Sequence, residues 1–438
     1  MTTEFQLVPI DPTSAKQLAA LGLRLGLVDT LDRQAFASWL HADMRGFHGA
    51  RMSDELIAAH LDGLAYRRTT GVWDDGALDV ASPVATVNSW SSQLTVPGER
   101  VVSAWAISSV TVAPTHRRKG IARALLESEL RTAASLGMPL AMLTVSESTI
   151  YGRFGFSPAA MAADWRIDVR RARWTGPTAS GRLQFVTLEQ FRAQAPELFG
   201  RVRRAVPGEI DRWGLHWDRL AAQQSDDKDL SKNLRAVRYD DAGGETQGFA
   251  LYRVTGGEVD FSAHTLTVEY LLSATHDAYA GLWRYLLEMD LVSEVKAHLR
   301  SVDEPLRWQI SDMRAASVSP VDHLWLRILD VTASLEARDY LAPGRIAFEV
   351  SDDLGFAAGR YLLDIADGVG TVNRIDEVPD DAASIALTVN ELSALYLGGV
   401  LASTLVGAGR IVELRPGSAQ AVDTSFRSPV TPWLSAWF

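Results

Sequence analysis

Residues Val110–Leu126 read VTVAPTHRRKGIARALL, and this stretch decides the fold. Its β-branched opening ends a strand, Pro114 interrupts the run, and Ile121, Leu125, Leu126 and Leu130 recur near helical spacing. Between strand and helix lies a turn in which Arg117, Arg118 and Lys119 precede Gly120. A glycine at a helix start lets exposed N–H groups approach an anion, and the helix dipole favours negative charge at that end. The turn is either a phosphate cradle or a basic helix end that faces solvent. The P-loop is excluded because no Gly-Lys-Ser/Thr follows, and GAGRIV at Gly407 lacks the third glycine of the dinucleotide fingerprint.

Upstream, PVATVNSWSSQLTVPG from Pro83 and VVSAWAISSVTV from Val101 are strand-like runs separated by a Pro97-Gly98 turn. Downstream, Gly137 stops the helix with Pro139 just beyond it, LAMLTV (Leu140–Val145) is a short apolar strand, and SESTIYGRFGF continues into a short helix. A second unit starts a new strand-like run at WRIDVRRARW, from Trp165. Within it LTVEYLLSAT followed by HDAYAGLWRYLLEMDL repeats the strand-to-helix step, without a basic, glycine-spaced turn between them. A third unit opens with DHLWLRILDV at Asp322, continues through RIAFEV and GRYLLDI, and carries its clearest helix in LTVNELSALYLGG.

The totals bound the function. A chain of 438 residues exceeds one ordinary core and predicts several domains. It has 47% apolar and 22% charged residues and no apolar run long enough to span a bilayer, which predicts a protein without a membrane partner. MTTEFQLVPIDP lacks a basic region followed by an apolar stretch, so no signal peptide is read and the cytoplasm is the expected compartment. With no cysteine, disulfides, thiolate metal sites and a cysteine nucleophile are excluded. A net charge of −11 argues against nucleic acid and suits either a cationic substrate or plain acidic solubility. His48, His116 and His216 stand alone, with no His-Glu-x-x-His spacing, so no metal is expected.

VTVAPTHRRKGIARALL resembles the acetyl-coenzyme A loop of the GCN5-related N-acetyltransferases (GNATs), and IYGRFGF resembles the tyrosine segment that comes after the next strand in that fold. RRAVPGEIDRWGLHWDRL, DHLWLRILDV, LYLGG and the terminal WF are similar to markers of the Eis (enhanced intracellular survival) type, so the resemblance covers nearly the whole chain. It implies an α+β protein with two tandem GNAT-like domains, over residues 1–162 and 163–316, and a sterol-carrier-like domain over 317–438. Only the first keeps the cofactor loop. It further implies a homohexamer that acetylates amines of a cationic small molecule, aminoglycoside-like or polyamine-like; lysine acetylation in proteins and a non-enzymatic lipid or sterol carrier are the alternatives. Where aminoglycoside-modifying members carry an aromatic before Val110, this sequence has Ser109.

Carried over residue by residue, the resemblance implies that Val110 and Val112 offer backbone groups to the pantetheine arm. Arg117, Arg118, Gly120, Ile121 and Ala122 would hold the pyrophosphate, with Ser146 and Glu147 beside the thioester. Without cysteine the transfer is direct, so the amine must lose a proton and the leaving thiolate must gain one. Tyr151 is the expected acid, since its phenol is protonated at neutral pH. The resemblance implies that the base is the C-terminal carboxylate of Phe438. Burial against aromatic rings would raise the basicity of such a carboxylate. Trp217 and Trp437 are the expected aromatic contacts to substrate.

Overall fold

A computed structural model of the chain describes residues 4–223 and 228–438. It divides into two compact units. The first comprises Met1–Ala160, His323–Pro429 and Trp437–Phe438; the second comprises Met161–Asp322 and Val430–Ala436.

The first unit opens with β1 (Leu23–Leu27), β2 (Arg68–Asp74), β3 (Ala85–Val96), β4 (Arg100–Val112) and β5 (Leu140–Thr144). Helices α1 (Pro12–Ala19), α2 (Arg33–Gly46), α3 (Asp54–Leu64), α4 (Ile121–Ser135) and α5 (Ser148–Tyr151) accompany them. Side chains of Asp11, Asp32 and Ser53 accept the first free N–H groups of α1, α2 and α3, so these helix starts are written locally. The Pro97-Gly98 turn joins β3 to β4 as an antiparallel pair, as the sequence predicts. The apolar face of α4 buries Ile121, Leu125, Leu126 and Leu130 in one cluster with Trp105, Leu143 and Phe156. Glu129 is buried on the same helix, where its carboxylate accepts from Ser89 Oγ (2.6 Å) and Trp105 Nε1 (3.1 Å). Loss of water there pushes its carboxyl up, while nearby Arg68 opposes that shift.

In the second unit, β6 (Ser157–Asp168), β7 (Arg182–Val186), β8 (Leu234–Asp240), β9 (Thr246–Gly256), β10 (His264–Ser273) and β11 (Val292–Arg300) lie in the order β6-β11-β10-β9-β8-β7. Its helices are α6 (Leu188–Val202), α7 (Gly214–Leu220), α8 (Lys228–Asn233) and α9 (His276–Leu287). The strand expected to start at Trp165 starts earlier, at Ser157, and ends at Asp168, where Arg171 N donates to the Asp168 carbonyl and closes a turn. The basic stretch Arg170–Arg173 therefore lies outside the strand.

The chain re-enters the first unit along β12 (Ala316–Ile328), whose residues Leu324–Ile328 pair antiparallel with β5. A five-stranded sheet comes next, built from β13 (Gly344–Ser351), β14 (Gly359–Ala366), β15 (Val369–Arg374), β16 (Ala383–Thr388) and β17 (Val412–Glu413), in the order β15-β14-β13-β16-β17. With it run α10 (Val331–Glu336), α11 (Val389–Leu395), α12 (Ala402–Gly407) and α13 (Ser418–Phe426). The helix read in LTVNELSALYLGG is α11, whose start carries a reciprocal Thr388/Glu391 capping box.

Candidate active site

The site begins where β4 and β5 stop pairing. Their parallel ladder comprises only Ala104↔Leu140, Trp105↔Ala141 and Ala106↔Met142, whereas β4 runs on to Val112 and β5 to Thr144. Backbone groups on that edge of β4 are thus left without a strand neighbour. The β3–β4 register also slips between Thr86↔Thr111 and Asn88↔Ser108, forming a bulge that turns Ser109 into the left-handed region (φ 56°). Two bonds hold this strained residue: Thr86 Oγ1 donates to its carbonyl at 2.8 Å, and its own hydroxyl donates to Asp43 Oδ2 at 3.3 Å. Val110, within the bulge, and Val112, beyond it, are half-buried, with their side chains against the core.

After β4, Arg117 is extended, Arg118 takes a left-handed φ of 64°, and Gly120 caps α4 at φ 77°. No atom lies within 4 Å of where a Cβ on Gly120 would stand, so backbone conformation, and not crowding, is what calls for glycine there. No side chain caps α4. Arg117 and Arg118 are exposed and, among the described residues, have neither hydrogen bond nor ion pair. Ile121 is buried in the core and Ala122 half-buried above it. Free amides at a helix start, an open glycine and two uncommitted guanidinium groups form a cradle that fits a pyrophosphate. His116, in contrast, is engaged: its ring bonds Asp74 Oδ2 at 2.9 Å and Thr115 Oγ1 at 2.8 Å, and the bond to Asp74 is the main cause holding that carboxyl below the usual range.

At the far end of β5, the Thr144 hydroxyl donates to the main-chain oxygen of Phe438 at 2.8 Å. The Phe438 ring meets Trp90 edge-on at 5.7 Å, and Arg67 stacks on Trp90 at 3.5 Å from its centroid. Ser146 and Glu147 lie just past β5 and are exposed. Tyr151, at the end of α5, is 7% exposed and packs edge-on against Phe156. Its hydroxyl has no hydrogen-bond partner among the described residues. Burial, and to a lesser degree the charge of Glu147, raise the phenol above its ordinary value, which keeps it protonated.

The two expected substrate tryptophans sit differently. Trp437 is 51% exposed and meets His323 edge-on at 4.5 Å. Trp217 is 3% exposed within the second unit, its ring surrounded by Phe199 (5.6 Å), Tyr270 (5.9 Å) and His216 (5.6 Å), which is the packing of a core side chain. His216 shares that setting, and burial drives its ring well below the ordinary histidine range. His48 is exposed at the end of α2. Thr144, Trp90, Arg67 and the Ser109 bulge escaped the sequence reading. Only Thr144 left a trace, as the one polar residue ending an apolar strand.

Acetyltransferase (GNAT) domain models match residues 28–159 and 208–328, and a sterol carrier protein domain model matches 331–435. The N-acetyltransferase Eis of Mycobacterium tuberculosis is 34% identical over 366 residues, covering 81% of this chain and 86% of that protein. The chain belongs to the Eis-type N-acetyltransferases. An uncharacterized N-acetyltransferase of Streptomyces avermitilis is 35% identical over 414 residues, covering 92% of this chain and 96% of its own. The crystal structure of Eis1 from Mycobacterium abscessus superposes with a TM-score of 0.78 at 28% identity, covering 95% of this chain and 100% of that one. This Eis-type enzyme therefore has two GNAT domains followed by a sterol-carrier domain, and the GNAT fold implies acetyl-coenzyme A as co-substrate.

Proposed function

We propose that this Eis-type acetyltransferase transfers acetyl directly from acetyl-coenzyme A to an amine of a cationic small molecule, aminoglycoside-like or polyamine-like. Tyr151 serves as general acid and the terminal carboxylate of Phe438 as general base. The observation that carries this reading is the Thr144 bond to Phe438 oxygen, which holds the last residue at the end of β5, beyond the point where β4 and β5 part. Acetyl-coenzyme A supplies the activated thioester. Arg117, Arg118 and the amides of Gly120, Ile121 and Ala122 hold its pyrophosphate, the β4 edge at Val110 and Val112 aligns its arm, and Ser146 and Glu147 border the thioester. As the amine nitrogen forms its bond to the acetyl carbon, the carbon–sulfur bond breaks. The carboxylate takes the amine's proton, and the Tyr151 hydroxyl gives one to the departing sulfur.

Support for a cationic acceptor comes from Asp43 bonded to Ser109 and exposed Glu147, both carboxylates of this region. Half-exposed Trp437 supplies a ring against which such a substrate can rest. The reading extends to a homohexamer with domains at 1–162, 163–316 and 317–438, which light scattering and limited proteolysis measure.

The deciding experiment measures coenzyme A release with kanamycin, spermidine, tyramine and a lysine peptide, using the chain that ends at Phe438 and the same chain extended past it. Turnover of kanamycin or spermidine, cut roughly 10²- to 10⁴-fold by the extension, is the expected result. Full turnover in the extended chain removes the terminal base, and turnover of the lysine peptide alone replaces the small-molecule reading.

A further inference from the structure

The turn after Tyr151 has one local backbone bond, from Gly155 N to Gly152 O at 3.1 Å, and is otherwise held from a distance. Residues Gly152–Phe156 carry three carbonyls that side chains distant in sequence satisfy. Asn390 Nδ2, from α11, donates to Gly152 O and to Phe156 O, each at 2.8 Å. Arg327 Nε, from β12, donates to Phe154 O at 2.8 Å. Both clamping residues are themselves fixed. Arg327 is 0% exposed and donates to both oxygens of buried Asp352 at 2.8 Å, while Asp352 also accepts from the amides of Leu354 (3.1 Å) and Ala357 (2.8 Å). The Asn390 carboxamide oxygen accepts from Thr388 Oγ1 at 3.2 Å, which orients the amide nitrogen toward the turn. Gly155 takes φ 87°, and a Cβ there would fall 2.3 Å from Arg327 Nε, so the guanidinium lies directly against the turn backbone.

We propose that Asn390 and Arg327 are positioning residues for Tyr151: residues of β12 and α11 set the turn that aims the phenol, and so couple the C-terminal part of the first unit to the proton transfer. The proposal rests on Tyr151 being the general acid. A donor that has no hydrogen bond of its own depends on its backbone for placement, and a displacement of about 1 Å at such a group costs up to 10²-fold in rate. Asn390 suits the task because one planar amide spans two carbonyls, and Arg327 because its fork serves a carbonyl and a carboxylate at once.

The test measures coenzyme A release with kanamycin, spermidine or tyramine, whichever turns over fastest, together with hydrogen exchange at Gly152–Phe156. Asn390→Ala is expected to lower kcat roughly 10- to 10²-fold, to leave KM for acetyl-coenzyme A within about twofold, and to speed exchange at the turn. Asn390→Asp, of equal size but without the N–H donors, is expected to match it. Arg327→Lys keeps a charge beside Asp352 and loses the fixed fork, and its kcat is also expected to fall. In a Tyr151→Phe background Asn390→Ala should cost nothing further, because the group it aims is gone. Wild-type kcat in Asn390→Ala and Asn390→Asp with faster turn exchange overturns the proposal, as does an equal loss in the Tyr151→Phe background. Wild-type kcat in Tyr151→Phe alone overturns the acid assignment itself, and that single variant reads out separately from the Asn390 series.

Discussion

The chain builds the same strand–helix–strand step twice and leaves only one copy open. In the first, β4 and β5 part after Ala106, α4 begins at an uncapped glycine, and two arginines nearby are uncommitted. In the second, the parallel pairing of β10 with β11 likewise ends, at Val268↔Ala297, but the protein's own groups occupy the parted edges. Arg300 Nη1 donates to Leu271 O on β10 at 2.9 Å, its Nη2 pairs with buried Glu304 at 2.7 Å, and the guanidinium lies over the Trp433 ring at 4.9 Å. Trp433 in turn donates to Leu299 O at 2.8 Å. The start of α9 is also filled: Thr275 caps Ala278 N at 3.1 Å, and Asp277 accepts from Ser180 N and Oγ and from Tyr239 Oη. A carboxylate thus occupies the end of the helix dipole where the first copy presents free N–H groups. Two copies of one topology thus differ in whether the parted edges and the helix start stay free of the protein's own side chains.

The largest expected effect falls on the open copy. Tyr151→Phe should reduce kcat roughly 10²- to 10⁴-fold with little change in coenzyme A affinity; stopped-flow thiol release checks it, and an unchanged rate dissolves the functional difference between the copies. Next, Arg300→Ala should destabilise the chain by about 3–5 kcal/mol, because buried Glu304 loses its charge partner and keeps only the Tyr279 hydroxyl. Urea unfolding measures that cost, and calorimetry should find coenzyme A affinity of the folded variant unchanged; a parallel loss of affinity would mean that the second copy also binds ligand. Arg117→Ala with Arg118→Ala should weaken coenzyme A binding roughly 10- to 10²-fold through lost charge-assisted bonds, with steep salt dependence in the parent chain. Equal affinity in the double variant would return the basic turn to a solvated face.

The smallest effect concerns pH. Burial and Glu147 both raise the Tyr151 phenol, so the acid form persists to higher pH and the alkaline fall of kcat should lie above the ordinary phenol value of about 10. Glu147→Gln removes one raising cause and should move that fall to lower pH. A shift to higher pH, or none, would separate Glu147 from the phenol's surroundings.

Much of the first copy was legible because its signals are local. The Pro97-Gly98 turn, the apolar period of α4 and the glycine at its start each act within a few residues, and the folded chain carries them at the expected places. The bulge was not legible, since a serine with positive φ has no composition cue and is held by Asp43 and Thr86, both remote in sequence. The missing basic turn before α9 was visible, yet the groups that fill the second copy were not, because Trp433 and Arg300 meet only in the folded chain. Trp217 illustrates the limit from another side: among 13 tryptophans, nothing local separates a substrate platform from a ring enclosed by Phe199 and Tyr270.

By itself the sequence determined which strand–helix step keeps a basic, glycine-spaced turn, which tyrosine comes after the next strand, and that no cysteine takes part in transfer. Helix starts, turns and residue inventory are local properties of the chain. Tertiary structure alone decided that Phe438 rests on Thr144, that Arg300 and Trp433 occupy the second copy, and that Arg327 and Asn390 hold the turn behind Tyr151. These are hydrogen bonds and ring contacts between residues far apart in the chain, and no periodicity or spacing encodes a partner that only folding brings within about 3 Å.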